Sequence, residues 1–66
     1  MNAVEMNDLA IKLASAFESQ RVPRGEVVKI VRETYLPEVA IAVRTKIKSE
    51  TERRRFDALM LLEGVK

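Results

Sequence analysis

Apolar side chains return every third or fourth position along most of this chain, and that spacing predicts helices. Leu9, Leu13 and Phe17 stand four apart with Met6, Ala10 and Ala16 beside them, which predicts a first helix from about Val4 to Gln20. Asn7 suits the cap of a helix starting at Asp8, whose carboxylate favours a first turn. Val22-Pro23-Arg24-Gly25 reads as a turn, with proline second and glycine fourth. Val27, Val31 and Tyr35, widened by Val28, form the stripe of a second helix from about Glu26 to Tyr35. Pro37 disfavours helix at Leu36 and brings no amide donor, so the chain breaks or kinks there.

Residues 38–48 fit two periods. At helical spacing, Val39, Val43 and Ile47 form one stripe, with Pro37 in the first helical position, where its ring geometry fits. At strand spacing, Val39, Ile41, Val43, Thr45 and Ile47 are all β-branched and alternate with Ala40, Ala42, Arg44, Lys46 and Lys48. The interleaved alanines and long basic residues are good helix formers, and they place helix ahead of strand.

Beyond them, Ser49-Glu50-Thr51-Glu52 matches a capping box, so a further helix is predicted to start there, run to Glu63 and stop at Gly64. Its apolar residues are Phe56, Leu59, Met60, Leu61 and Leu62. Four large apolar positions in succession wrap most of the way round a helix, so one face packs on its own chain and the rest meets another. The predicted fold is mainly α, three to four short helices in one small domain over residues 1–66, and dimeric. The alternative is α+β, with a strand at 39–47 pairing across a dimer.

Composition sharpens this. A chain of 66 residues hides only about 60% of the surface that it exposes unfolded, yet 47% of its residues are hydrophobic. Self-association resolves that excess, and a homodimer is expected. Cysteine and histidine are both absent, which removes disulfides, thiolate and imidazole metal sites, the usual general base and the strongest nucleophile. Gly25 and Gly64 stand alone, so no phosphate-cradling loop is present. No apolar run approaches membrane-spanning length, and Met1-Asn2-Ala3-Val4-Glu5 lacks the basic start of a secretory signal. Ser15 and Ser19 near Lys12 have no glycine-rich turn to build an oxyanion hole. The class expected is a cytoplasmic protein without catalytic residues, cofactor or metal.

Charge changes the picture in one place. The formal net charge is only +2, but Arg44 to Arg55 concentrates six bases against Glu50 and Glu52. Arg44, Lys46, Lys48, Arg53, Arg54 and Arg55 are therefore candidates for contact with nucleic-acid phosphates. The competing reading is a solvated helix face in which Glu50 pairs with Arg54, and Arg53 with Asp57, at helical distances. Lys29 to Glu33 suits a further such pair. Tyr35, beside Pro37, is expected to be either half-buried with its hydroxyl in water or an exposed contact residue at the break between helices.

Val43-Arg44-Thr45-Lys46-Ile47-Lys48 followed by a serine-capped helix resembles the opening of ribbon-helix-helix regulators, over about the last third of the chain. That resemblance implies a dimer whose paired strands lie in the major groove. Arg44, Lys46 and Lys48 would then face DNA, and Val43, Thr45 and Ile47 the core. A helix-turn-helix is the other DNA-binding arrangement, with two helices between Gly25 and Lys48 around Thr34-Tyr35-Leu36-Pro37.

The apolar excess supports a different function. Val39, Val43 and Ile47, with Phe56, Leu59, Met60, Leu61 and Leu62, are candidates for a dimer or partner interface. The leading expectation is a small DNA-binding transcriptional regulator of prokaryotic or phage type, acting as a homodimer. The alternative is a protein-interaction module, an inhibitor or adaptor that binds a partner through an apolar helix face.

Overall fold

The first helix starts at Asn2 and not at Asn7. In the computed structural model, which describes residues 1–63, the Asn2 side chain accepts the Glu5 amide at 2.8 Å. The Glu5 carboxylate accepts the Asn2 amide in return at 3.5 Å. That reciprocal box satisfies two of the free donors at the helix start. Asn7 has Ala10 three residues on and can form no such box, so it lies exposed inside α1, Ala3–Ser19. α1 ends at Gln20, in the left-handed region at φ 59°.

Pro23 then sets the start of α2, Arg24–Glu33, two residues earlier than the expected turn allows. The Pro23 carbonyl accepts the amides of Glu26 at 2.9 Å and Val27 at 3.2 Å. Gly25 therefore belongs to the first turn of the helix, where an added Cβ would meet nothing within 4 Å. At the far end, the Thr34 hydroxyl donates to the Val31 carbonyl at 2.6 Å. Tyr35 follows at φ 56°, a left-handed conformation that turns the chain toward α3.

α3 spans Pro37–Lys46 with Pro37 at its start, and this settles the ambiguous segment. Val39, Val43 and Ile47 are fully buried, whereas Ile41 is 66% exposed. A strand would have aligned Ile41 with Val39 and Val43; the helical turn carries it to the opposite side. The strand at 39–47, and with it the ribbon resemblance, is overturned: residues 1–63 form four helices and no strand. Proline at the first helical position and the alanines outweigh the β-branched residues once a helical stripe can be buried.

α4 spans Glu50–Leu62, capped by the Ser49 hydroxyl, which accepts the Glu52 amide at 3.3 Å. The expected stop at Gly64 lies outside the described residues.

Twelve buried apolar residues form one core: Ala10, Leu13, Ala14, Ala16 and Phe17 of α1; Val27, Val28 and Val31 of α2; Val39, Val43 and Ile47; and Phe56 of α4. α1 packs chiefly on α3, and α2 chiefly on α4. Phe17 and Phe56 meet edge to face in the middle, centroids 5.5 Å apart and planes at 81°. Each side chain of this kind contributes about 1.5–3 kcal/mol by leaving water. Four residues expected at an interface, Val39, Val43, Ile47 and Phe56, are thus enclosed within one chain. Tyr35 takes the exposed one of its two expected placements, at 88%.

Candidate functional site

The six bases between Arg44 and Arg55 do not form one charged face. Arg44 on α3 donates through Nε to both Asp57 oxygens on α4, at 2.9 and 3.0 Å. That hydrogen bond, aided by the carboxylate charge, raises the Arg44 pKa above its ordinary value. Arg54 pairs with Glu50 at 3.0 Å, one turn away, as its spacing implies. Arg55 pairs with Glu52. Arg53 departs from the expected pairing with Asp57, which Arg44 has taken. It donates instead to the carbonyls of Ile47 at 2.8 Å and Lys48 at 3.2 Å. Only Lys46 and Lys48 of the six make no side-chain ion pair or hydrogen bond among the described residues.

The turn from Ile47 to Ser49 is held from both sides. Arg53 takes its carbonyls, and Glu18 of α1 accepts the amides of Lys48 at 2.8 Å and Ser49 at 3.4 Å. Glu52, three residues past the cap, does not complete a capping box. Its carboxylate accepts Nε of Arg24 at 3.0 Å and Nη2 at 3.3 Å. Both side chains of this α2–α4 tie are mostly covered, 26% and 12% exposed. The guanidinium of Arg24 also lies 5.9 Å from the Phe17 ring centroid, within reach of a cation–π attraction. Hydrogen bonding from Arg24 holds the Glu52 carboxyl below its ordinary pKa, with Arg55 adding to the effect against partial desolvation. Lys29 pairs with Glu26 at 3.6 Å and not with Glu33. Among the described residues, two ion pairs join helices, three lie within one helix, and Arg53 and Glu18 fasten a turn.

An open groove of about 350 Å³ runs between α3 and α4. Ala40, Ile41 and Arg44 form one wall; Phe56, Asp57, Met60 and Leu61 form the other. Ile41 is 66% exposed and Leu61 74%, while Leu62, the next residue, is 80% exposed. Met60 and Leu59 are partly buried against the core. Of the apolar residues expected at an interface, the structure therefore leaves Leu61 and Leu62 open, Leu59 and Met60 half-covered, and the other four enclosed. Ile41 and Ala40 belong to this surface although they were not among the interface residues expected from sequence. The signal was present: a helix that buries Val39, Val43 and Ile47 must carry Ile41 on its outer side.

A second, smaller hollow of about 180 Å³ lies beside Lys29, Arg32, Glu33 and Tyr35. Among the described residues no cluster of three or more acidic, histidine or cysteine side chains is placed to hold a metal ion, and no helix is long and apolar enough to cross a membrane. No protein-family model matches the chain, and no curated protein or solved structure is significantly similar to it.

Proposed function

We propose that this chain is a non-enzymatic protein-interaction module, an adaptor or inhibitor working in the cytoplasm, whose working surface is the α3–α4 groove. The observation that carries this reading is the contrast between two sets of side chains. Ile41 and Leu61 stand open on either wall of an apolar hollow, while four of the six bases expected to contact DNA are engaged inside the chain. Grooves of this kind take the apolar face of a helix, through anchors three or four residues apart.

A second reading, a homodimeric DNA-binding regulator, is favoured by the free side chains of Lys46 and Lys48. The two readings differ in how binding responds to salt. Each neutralised phosphate contributes about −0.9 to the slope of log affinity against log salt concentration. Six bases on DNA give a slope of about −5, and two give about −2. Anisotropy of a labelled mixed-sequence duplex, titrated at low and moderate salt, separates them. The interaction reading expects binding that is weak even at low salt, with a slope no steeper than about −2. A slope near −5, abolished by Arg44→Glu with Lys46→Glu in a folded protein, would overturn it.

A further inference from the structure

Tyr35 is the one tyrosine of a chain without tryptophan, and both phenylalanines lie in the core. Its ring is the most open of the large apolar side chains among the described residues. The position itself suits glycine, because the backbone stands at φ 56° just past the end of α2, where a Cβ is strained. With so little of the ring covered, packing does not repay that strain. Strained residues of this kind cluster where proteins hold ligands.

The ring borders a hollow of about 180 Å³ shared with Lys29, Arg32 and Glu33. Lys29 and Arg32 are neighbours one turn apart on α2, and Tyr35 follows Arg32 at the same spacing of three. Arg32 and Glu33 enter no ion pair among the described residues. Lys29 meets Glu26 only at 3.6 Å, with both side chains more than half exposed, a pair weak enough to exchange for another anion. Four of the six bases between Arg44 and Arg55 are by contrast engaged. An open ring beside two available cations is the pairing used on single strands, with a nucleobase on the aromatic face and phosphates on the cations. The hollow falls short of the roughly 300 Å³ at which sites begin to enclose a whole small molecule. It therefore takes one nucleobase of a strand whose remainder runs over the surface. Glu33 on its rim offers an acceptor to the exocyclic amine of cytosine or adenine.

We infer that the Tyr35 hollow at the end of α2 binds single-stranded nucleic acid, with a base stacked on Tyr35 and phosphates held by Lys29 and Arg32. The site shares no lining residue with the α3–α4 groove and adds a second activity to the chain. Duplex is a poor ligand for it, since paired bases keep their faces stacked inside the helix.

Tyrosine emission reports on the site directly, because Tyr35 is its only source. The full chain is titrated with single-stranded oligodeoxycytidylate of roughly 12 nucleotides at about 50 mM salt. The strand is expected to quench the emission, corrected for nucleotide absorbance. Anisotropy of the labelled strand should give a dissociation constant of about 1–100 µM. Its salt slope should be about −1.4, from two phosphates on a single strand, and the matching duplex should bind at least about 10-fold more weakly. Tyr35→Phe keeps the ring and the affinity. Tyr35→Gly removes the ring, leaves helicity by circular dichroism unchanged and weakens binding about 5- to 150-fold. Lys29→Gln with Arg32→Gln flattens the salt slope toward zero. Lys46→Gln with Lys48→Gln, outside the hollow, weakens binding less than Tyr35→Gly does. A chain that binds no strand at millimolar concentration overturns the inference, as does a strand that binds without changing the emission. Duplex and single strand bound alike overturn it too, and so does displacement of the strand by polyglutamate at equal charge, which would show a general anion site. Tyr35→Gly binding as wild type does, with binding lost in the Lys46 and Lys48 variant, overturns it in favour of phosphate contact elsewhere.

Discussion

The edge-to-face contact of Phe17 with Phe56 is the strongest aromatic link between α1 and α4, and it supports a quantitative prediction. Stability scales as about 0.05–0.15 kcal/mol per residue, so a chain of this length has roughly 3–10 kcal/mol in total. Truncating a buried phenylalanine to alanine costs about 3–5 kcal/mol, enough to unfold much of the population. Leucine is the informative replacement, because it keeps an apolar side chain while removing the ring. Repacking around each leucine costs up to about 1.5 kcal/mol. Loss of the ring contact adds about 0.5–1.5 kcal/mol. Phe17→Leu and Phe56→Leu are each expected to destabilise by about 1–3 kcal/mol, moving the urea midpoint down by about 1 M or more. The contact is broken by either change and can be lost only once. The double variant should therefore cost less than the two single costs together, by about 0.5–1.5 kcal/mol. Urea unfolding followed by circular dichroism measures all four proteins. Additivity within about 0.3 kcal/mol would refute the argument that the two rings stabilise each other directly.

Other consequences follow from single residues. Gly25 sits in the first turn of α2 with open space where a Cβ would stand, so Gly25→Ala should stabilise by about 0.5–1 kcal/mol, read as a rise in thermal midpoint. Tyr35 holds a left-handed conformation at φ 56° while almost wholly exposed, so Tyr35→Gly should relieve strain and raise stability by up to about 1 kcal/mol; a fall would show that the ring makes a stabilising contact. The ionised form of Glu52 is favoured in the fold, so its contribution is present above the ordinary glutamate value near 4.5 and is lost as pH falls through its own lowered value. The stability difference between wild type and Glu52→Gln should therefore shrink below about pH 4.5 and vanish in stronger acid, and a difference constant down to the most acidic pH would contradict the Arg24–Glu52 tie. Ser49→Ala removes the side-chain cap of α4 and should cost about 1 kcal/mol, measured by the same unfolding curves.

Much of this architecture was legible in the sequence because its causes are local. The stripe of Leu9, Leu13 and Phe17, the break at Pro37 and the cap at Ser49 each act within a turn or two, and each has its expected structural role. Local signals also competed. Asn7-Asp8 looks like a helix start, but Asn2 has the glutamate three residues on that a reciprocal cap requires. The β-branched run from Val39 to Ile47 suits two periods, and only burial of one face decides between them. The candidate site was harder to see, since its charges are settled over long separations. Arg24 and Glu52 lie 28 residues apart, Glu18 and Ser49 lie 31, and Arg44 and Asp57 lie 13. No spacing rule along the chain pairs such residues. A run of bases that reads as one cluster in sequence is divided by folding among carboxylates of α4 and carbonyls of the turn before it.

That division also explains the shape of the surface. Arg44 and Asp57 pair at the edge of the groove, between α3 and α4, and Arg53 and Glu18 secure the turn that joins those helices. With these ties in place, the apolar side chains between the helices are held open around a hollow. Arg44, one of the bases expected to serve nucleic acid, thus borders an apolar groove instead.

The central claim, that the α3–α4 groove is the working surface of this protein, is tested most directly by nuclear magnetic resonance. Amide shifts of the isotope-labelled chain would be followed through a titration with anilinonaphthalene sulfonate, a probe of open apolar surface. The account predicts dye-dependent shifts centred on Ala40, Ile41, Arg44, Met60 and Leu61, with Lys12 unmoved. Shifts confined to residues outside α3 and α4, or spectra identical across the series, would contradict it.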